Sequence, residues 1–134
     1  PSETELDFLS TYRFLNELPV SYLHVFTYSE RDNTEALKIK DIVPVHVRRE
    51  RNNQLRSLSA KKKRIFYEEH IGFERNVLFE SEVKDGFIYG FTDNYIKVKV
   101  NYIPSFVNKI VNVKILNTST EGVAEGETAI PAFV

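Results

Sequence analysis

The 134-residue sequence has no cysteine, no methionine and no tryptophan. Without cysteine the chain can hold no disulfide framework, thiolate nucleophile, iron–sulfur ligand set or cysteine zinc site. It also lacks an apolar run near the roughly 18 residues of a membrane span, and its start lacks the pattern of a secretory signal. A cytoplasmic setting is the expectation. No glycine-rich phosphate loop occurs. His24, His46 and His70 lack metal-ligand spacing, and Ser29, beside Glu30 and Arg31, has no nearby histidine for a hydrolytic triad. No self-sufficient catalytic site is expected.

What the chain does have is local positive charge. The formal net charge is −1, yet Arg48, Arg49, Arg51, Arg56, Lys61, Lys62, Lys63 and Arg64 fall in one stretch whose only acid is Glu50. Because fields are screened over roughly 10 Å at moderate salt, distant acids do not cancel such a cluster.

The first half reads as helix, strand, helix. Residues 2–18 open with Ser2 and carry Glu5 three places on, a capping-box pattern, with Phe8, Leu9, Tyr12, Leu15 and Leu18 on an apolar face and Pro19 as the stop. SYLHVFTYS follows, rich in β-branched and aromatic residues on both faces, as in a buried parallel-sheet strand. After a polar loop containing Asp32-Asn33, Pro44 precedes a long stretch from Val45 to about His70 without glycine or proline, a basic helix for which Gly72 supplies a left-handed cap.

Beyond Gly72 the period changes to two. Five strands are expected: Asn76 to Val83, Phe87 to Thr92, Tyr95 to Tyr102, Ile110 to Thr118 and Gly122 to Thr128, with turns at Lys84-Asp85-Gly86, Asp93-Asn94 and Thr120-Glu121-Gly122. The fold class is therefore α+β. A helix–strand–helix unit of alternating α/β type (residues 1–71) precedes a small five-stranded antiparallel barrel of the oligonucleotide-binding type (residues 72–134).

In YIKVKVNY, Ile96, Val98 and Val100 face one way and Tyr95, Lys97, Lys99 and Asn101 the other. This is either the solvated face of an amphipathic strand or a phosphate-tracking surface with an aromatic platform. The same two readings apply to KKKR, residues 61–64, which wraps around its helix.

Several segments together resemble the C-terminal part of the radical S-adenosylmethionine methylthiotransferases: LPVSYLHVFTYSER with Thr34 and Ala36, RRERNNQLRSL, NVLFE and GFTDNYIKV. The branch most similar thiomethylates threonylcarbamoyladenosine beside the tRNA anticodon. The resemblance covers nearly the whole chain, with PSETELDF similar to a PGET-like segment and residues 73–132 similar to a TRAM domain, a small RNA-binding barrel. Two departures stand out: Ser2 occupies a usual glycine position, and Asp32-Asn33 replaces a frequent Pro-Gly.

The resemblance implies that residues 1–71 are the helix–strand–helix remnant of a partial (β/α) barrel, with residues 21–29 its last strand, and that this chain is a fragment, inactive alone. The parent would use two four-iron four-sulfur clusters, with ligands outside this chain, and S-adenosylmethionine. Val25, Phe26 and Tyr28 would approach the cofactor's adenosyl portion, as barrel sites gather at strand C-terminal ends. Tyr95, Lys97 and Lys99, with Arg75, Asn94, Lys61, Lys62, Lys63 and Arg64, would hold tRNA. An amputated strand is expected to leave Leu23, Val25, Phe26 and Tyr28 poorly covered or packed on a second copy. Rival readings are a stand-alone RNA-binding module and the related methylthiotransferase that acts on a ribosomal protein.

Overall fold

The computed structural model describes residues 1–129; residues 130–134, the end of the expected barrel domain, lie outside the described residues. The chain divides into two compact units, Pro1–Lys63 and Arg64–Val134.

In the first unit, helix α1 spans Glu5–Glu17. Its capping box lies two residues beyond the Ser2/Glu5 pattern. Thr4 Oγ1 accepts from the Asp7 N–H at 3.1 Å, and Asp7 Oδ2 accepts from the Thr4 N–H at 3.0 Å. The backbone bond from Thr4, then its side-chain bond, holds the Asp7 carboxyl below its ordinary value. Ser2 cannot cap, because a cap residue needs extended backbone and Ser2 sits at φ +63° with its N–H bound to the Asp41 carbonyl at 2.6 Å. Asn33 is at φ +62°. Both departures from glycine thus keep the left-handed backbone that glycine would take freely.

Residues 21–29 do not form a strand. A ladder needs a neighbour, and among the described residues nothing pairs with this segment along its length. Side chains substitute at two points: the Leu23 N–H donates to Ser59 Oγ at 2.8 Å and the Ser59 hydroxyl donates to the Leu23 carbonyl at 2.9 Å, while Arg48 Nη1 donates to the Tyr28 carbonyl at 3.5 Å. The expected burial of both faces also fails. Leu23 and Val25 are half-buried, while His24 and Tyr28 are exposed and Phe26 is 87% exposed. A short 3-10 turn, Glu35–Lys38, leads toward helix α2, Val45–Glu68. That helix ends two residues before His70, where the bonds tighten to His70 N–H to Tyr67 O and Ile71 N–H to Glu68 O, and Gly72 takes φ +88°.

The second unit is a closed barrel of five strands: β1 (Glu74–Lys84), β2 (Phe87–Thr92), β3 (Lys97–Asn101), β4 (Lys109–Thr118) and β5 (Ala124–Thr128), ordered β1-β2-β3-β5-β4 and back to β1. The expected all-antiparallel arrangement does not hold, because directions cannot alternate around a ring with an odd number of members. The one parallel pair is β3 with β5, Val98 opposite Ala124. Asp85 (φ +53°) and Gly86 (φ +82°) make the tight turn between β1 and β2.

Alternation fills the interior with Val77, Phe79, Ile88, Val98, Val100, Val113, Ile115 and Ala124, joined by Ile96, none more than 3% exposed. The buried Tyr67 joins this core, and its phenol oxygen accepts the Lys97 N–H at 2.9 Å. The barrel's compact unit consequently begins at Arg64, inside α2, rather than at the change of period near Ile71.

Gly126 on β5 faces this interior. A Cβ there would overlap Val113 Cγ1 and meet Val98 Cγ1 at 3.0 Å. Stiff β-branched neighbours on two strands cannot yield freely. Gly126→Ala is expected to destabilise the barrel by about 1–3 kcal/mol, read as a lower urea midpoint at an unchanged denaturant slope.

Candidate nucleic-acid interface

Strand β3 places its side chains as the alternation requires: Val98 and Val100 inside, Lys97 and Lys99 half-buried outside. Neither lysine stands alone. Lys97 Nζ lies 3.1 Å from Glu82 Oε1 and over the rings of Tyr89 (5.2 Å) and Phe91 (5.9 Å). Lys99 Nζ lies 3.5 Å from Glu125 Oε1 and 4.7 Å from the Phe87 ring centre. Such partly exposed pairs contribute little, so a phosphate can compete for the same cations.

The turn before β3 is organised by a hydrogen-bond chain. His70 Nδ1 donates to the Phe66 carbonyl at 2.7 Å, which leaves Nε2 to accept from the Asn94 amide at 3.1 Å. Asn94 Oδ1 accepts from the Thr92 hydroxyl at 2.6 Å, and Thr92 Oγ1 accepts the Ile96 N–H at 2.9 Å. Asn94 is thereby engaged in holding the turn. Arg75 lies 3.3 Å from Asp93 on the same turn. Tyr95, next along, is 69% exposed at φ +65°.

Residues outside the sequence-predicted set complete this face. The register sets Ile110 beside Leu78, Leu78 beside Phe91 and Phe91 beside Lys97. Leu78, Phe91 and Ile110 are 45%, 44% and 69% exposed. With Asn76 and Tyr95 they line an open trough of about 690 Å³, next to a second of about 600 Å³ lined by His70, Arg75 and Asn112. In the run Val77-Leu78-Phe79 three adjacent apolar residues mask the alternation. Only the register of β1 shows that Leu78 alone points out.

In the first unit, Arg48, Arg51 and Lys62 of the basic cluster are turned inward, while Arg49 and Arg56 are exposed. Lys62 Nζ donates to the carbonyls of Asn16 (3.1 Å) and Leu18 (2.8 Å), binding the C-terminal end of α1. The expectation that all of KKKR is solvated therefore fails at Lys62. Arg51 donates to the Glu3 carbonyl and carboxylate, both at 2.9 Å, and lies over Phe8. Arg48 donates to the Val43 carbonyl at 2.7 Å and pairs with Glu30 at 2.8 Å. That side-chain bond comes first among the causes that hold the Glu30 carboxyl below its ordinary value. Lys61 is exposed and Lys63 half-buried; Arg64, in the second unit, is exposed 4.0 Å from Glu68.

Val25, Phe26 and Tyr28 do come together, on a cleft of about 350 Å³ whose wall includes Phe8, Leu55 and Arg51. Arg51 Nε is buried there without a partner among the described residues. Among those residues no acid or histidine cluster is placed to hold a metal, and no helix is long and apolar enough to cross a membrane.

No family model matches the chain. It is similar to the threonylcarbamoyladenosine tRNA methylthiotransferase of Aquifex aeolicus, 39% identical over 86% of this chain and 27% of that protein. It is also similar to the tRNA-2-methylthio-N(6)-dimethylallyladenosine synthase of Aliarcobacter butzleri, 33% identical over 89% of this chain and 28% of that protein. The ribosomal protein uS12 methylthiotransferase of Alkaliphilus oremlandii is 37% identical over 66% of this chain and 20% of that protein. The chain thus spans about a quarter of the length of these relatives.

Lys62→Met keeps the stem and removes both bonds to α1. It is expected to raise hydrogen-exchange rates in α1 about tenfold, the loss of two charge-assisted bonds at a helix C-terminus.

Proposed function

This chain belongs with the methylthiotransferases by sequence, as the counterpart of a C-terminal fragment of them, and on that premise we propose that it is the substrate-holding part of a radical S-adenosylmethionine enzyme that methylthiolates a modified adenosine in tRNA. The barrel, read as a TRAM domain, binds and positions the tRNA. The observation that carries this reading is the outward face of β3, where Lys97 and Lys99 stand on an aromatic floor beside the exposed Tyr95. Cations over rings give a surface that holds phosphates and stacks bases at once. A tRNA substrate is supported by the relatives named for tRNA, which align over 86% and 89% of the chain, against 66% for the one named for a ribosomal protein.

Within the parent enzyme this chain's own contribution to cofactor binding is the cleft of the first unit. Its apolar wall of Val25, Phe26 and Tyr28 suits an adenosyl group. When bound, S-adenosylmethionine would supply the radical chemistry for activating the adenine carbon, with the cluster it needs held by other parts of the enzyme. The present residues do not fit a cluster, since the chain has no cysteine. What they do is shape: they exclude water from one side of the adenosyl group.

Replacing Lys97 and Lys99 by alanine together should weaken tRNA binding and lower the log–log salt slope by on the order of one for each phosphate the surface no longer engages. Filter-binding titrations from low to moderate salt read this directly. An unchanged slope removes β3 from the interface.

A further inference from the structure

We propose that the trough on the outer face of β1, β2 and β4 binds unpaired nucleobases of single-stranded RNA, with Tyr95 as the stacking ring; this deepens the RNA-binding reading above and rests on it. The first observation is backbone strain. A bulky aromatic residue at positive φ is an outlier, costing what glycine or asparagine would avoid. Tyr95 holds φ +65° with its side chain mostly in solvent, and no ring contact or side-chain hydrogen bond within the described residues offsets that cost. A ring held out under strain is suited to an external partner.

The second observation is the row beside it. Leu78, Phe91 and Ile110 lie side by side across three strands, an apolar floor of the kind that bases stack on.

The third is chemistry two residues along the same face, about 7 Å away at the strand rise. Asn112 Nδ2 donates to Asn76 Oδ1 at 3.3 Å, which leaves the Asn76 amino group and Asn112 Oδ1 unpartnered among the described residues. A donor and an acceptor side by side match the edge of a base. Phosphate contacts belong to the lysines of β3 rather than to the trough itself, whose lining includes no lysine or arginine and whose Asp93 is offset by Arg75. Apolar and edged with amides is the complement of a splayed base rather than of a duplex backbone.

The test uses the full chain with a mixed-sequence single-stranded RNA oligonucleotide and the same sequence as a perfect duplex. Tyr95→Gly relieves the strained backbone, so it should melt within a few degrees of the parent while losing about 5- to 150-fold in single-strand affinity, the effect of one stacked base. Its salt slope should stay unchanged, since no charge is removed. Tyr95→Phe should bind within about twofold of the parent, as expected for stacking. Full single-strand affinity in Tyr95→Gly overturns the proposal while leaving RNA binding intact, as does a preference of the parent chain for duplex. Binding of a ribosomal-protein peptide that Tyr95→Gly abolishes, with RNA affinity untouched, overturns it in favour of a protein partner. If the parent chain binds neither RNA, the underlying RNA-binding reading falls first and takes this one with it.

Discussion

Five strands cannot close a ring by alternating direction, and the parallel pairing of β3 with β5 is where this barrel resolves that constraint. Once the ring is closed, no strand edge is left open and every side chain on these strands is either inside or outside. The inside takes Val98, Val100, Val113, Ile115 and Ala124, with Gly126 leaving room for their methyl groups. The outside inherits what remains, including apolar residues the core cannot accommodate. Leu78, Phe91 and Ile110 are exposed because the register puts them there, and their exposure favours a binding face.

Basic residues prove less uniform than their clustering suggests. Arg48, Arg51 and Lys62 direct their charge to carbonyls and carboxylates of the first unit. Each compensates a segment whose own backbone groups or acids would otherwise lack partners, much as Ser59 does for Leu23. Lys97 and Lys99 are paired as well, but with exposed acids on β1 and β5, where exchange for a phosphate costs little. Position in the fold, not position in a charge run, separates the structural cations from those free to exchange.

Local signals in the sequence are legible where they depend only on neighbours. The period-two runs locate all five strands, the Asp85-Gly86 turn follows from its composition, and Gly72 takes the left-handed cap position. Sequence and structure part where a distant element decides the outcome. Ser2 has the composition of a cap, but its N–H is claimed by Asp41 far along the chain, and Thr4 takes the role. SYLHVFTYS has strand composition without a strand partner among the described residues, so it forms no ladder and is held by Ser59 at Leu23 and by Arg48 at Tyr28. Of the candidate interface, Lys97 and Lys99 are legible from alternation, whereas Tyr95 sits in the turn before β3 at φ +65°. The Leu78–Phe91–Ile110 row is not legible, because cross-strand register is invisible in a linear reading.

The central claim is that the closed barrel turns one particular face toward RNA. Backbone amide chemical shifts of the isotope-labelled chain, followed while a single-stranded RNA oligonucleotide is added, test it most directly. The account predicts perturbations concentrated at Asn76, Leu78, Phe91, Tyr95, Lys97 and Ile110. Perturbations confined to Lys61–Lys63, or scattered without regard to strand register, would contradict it.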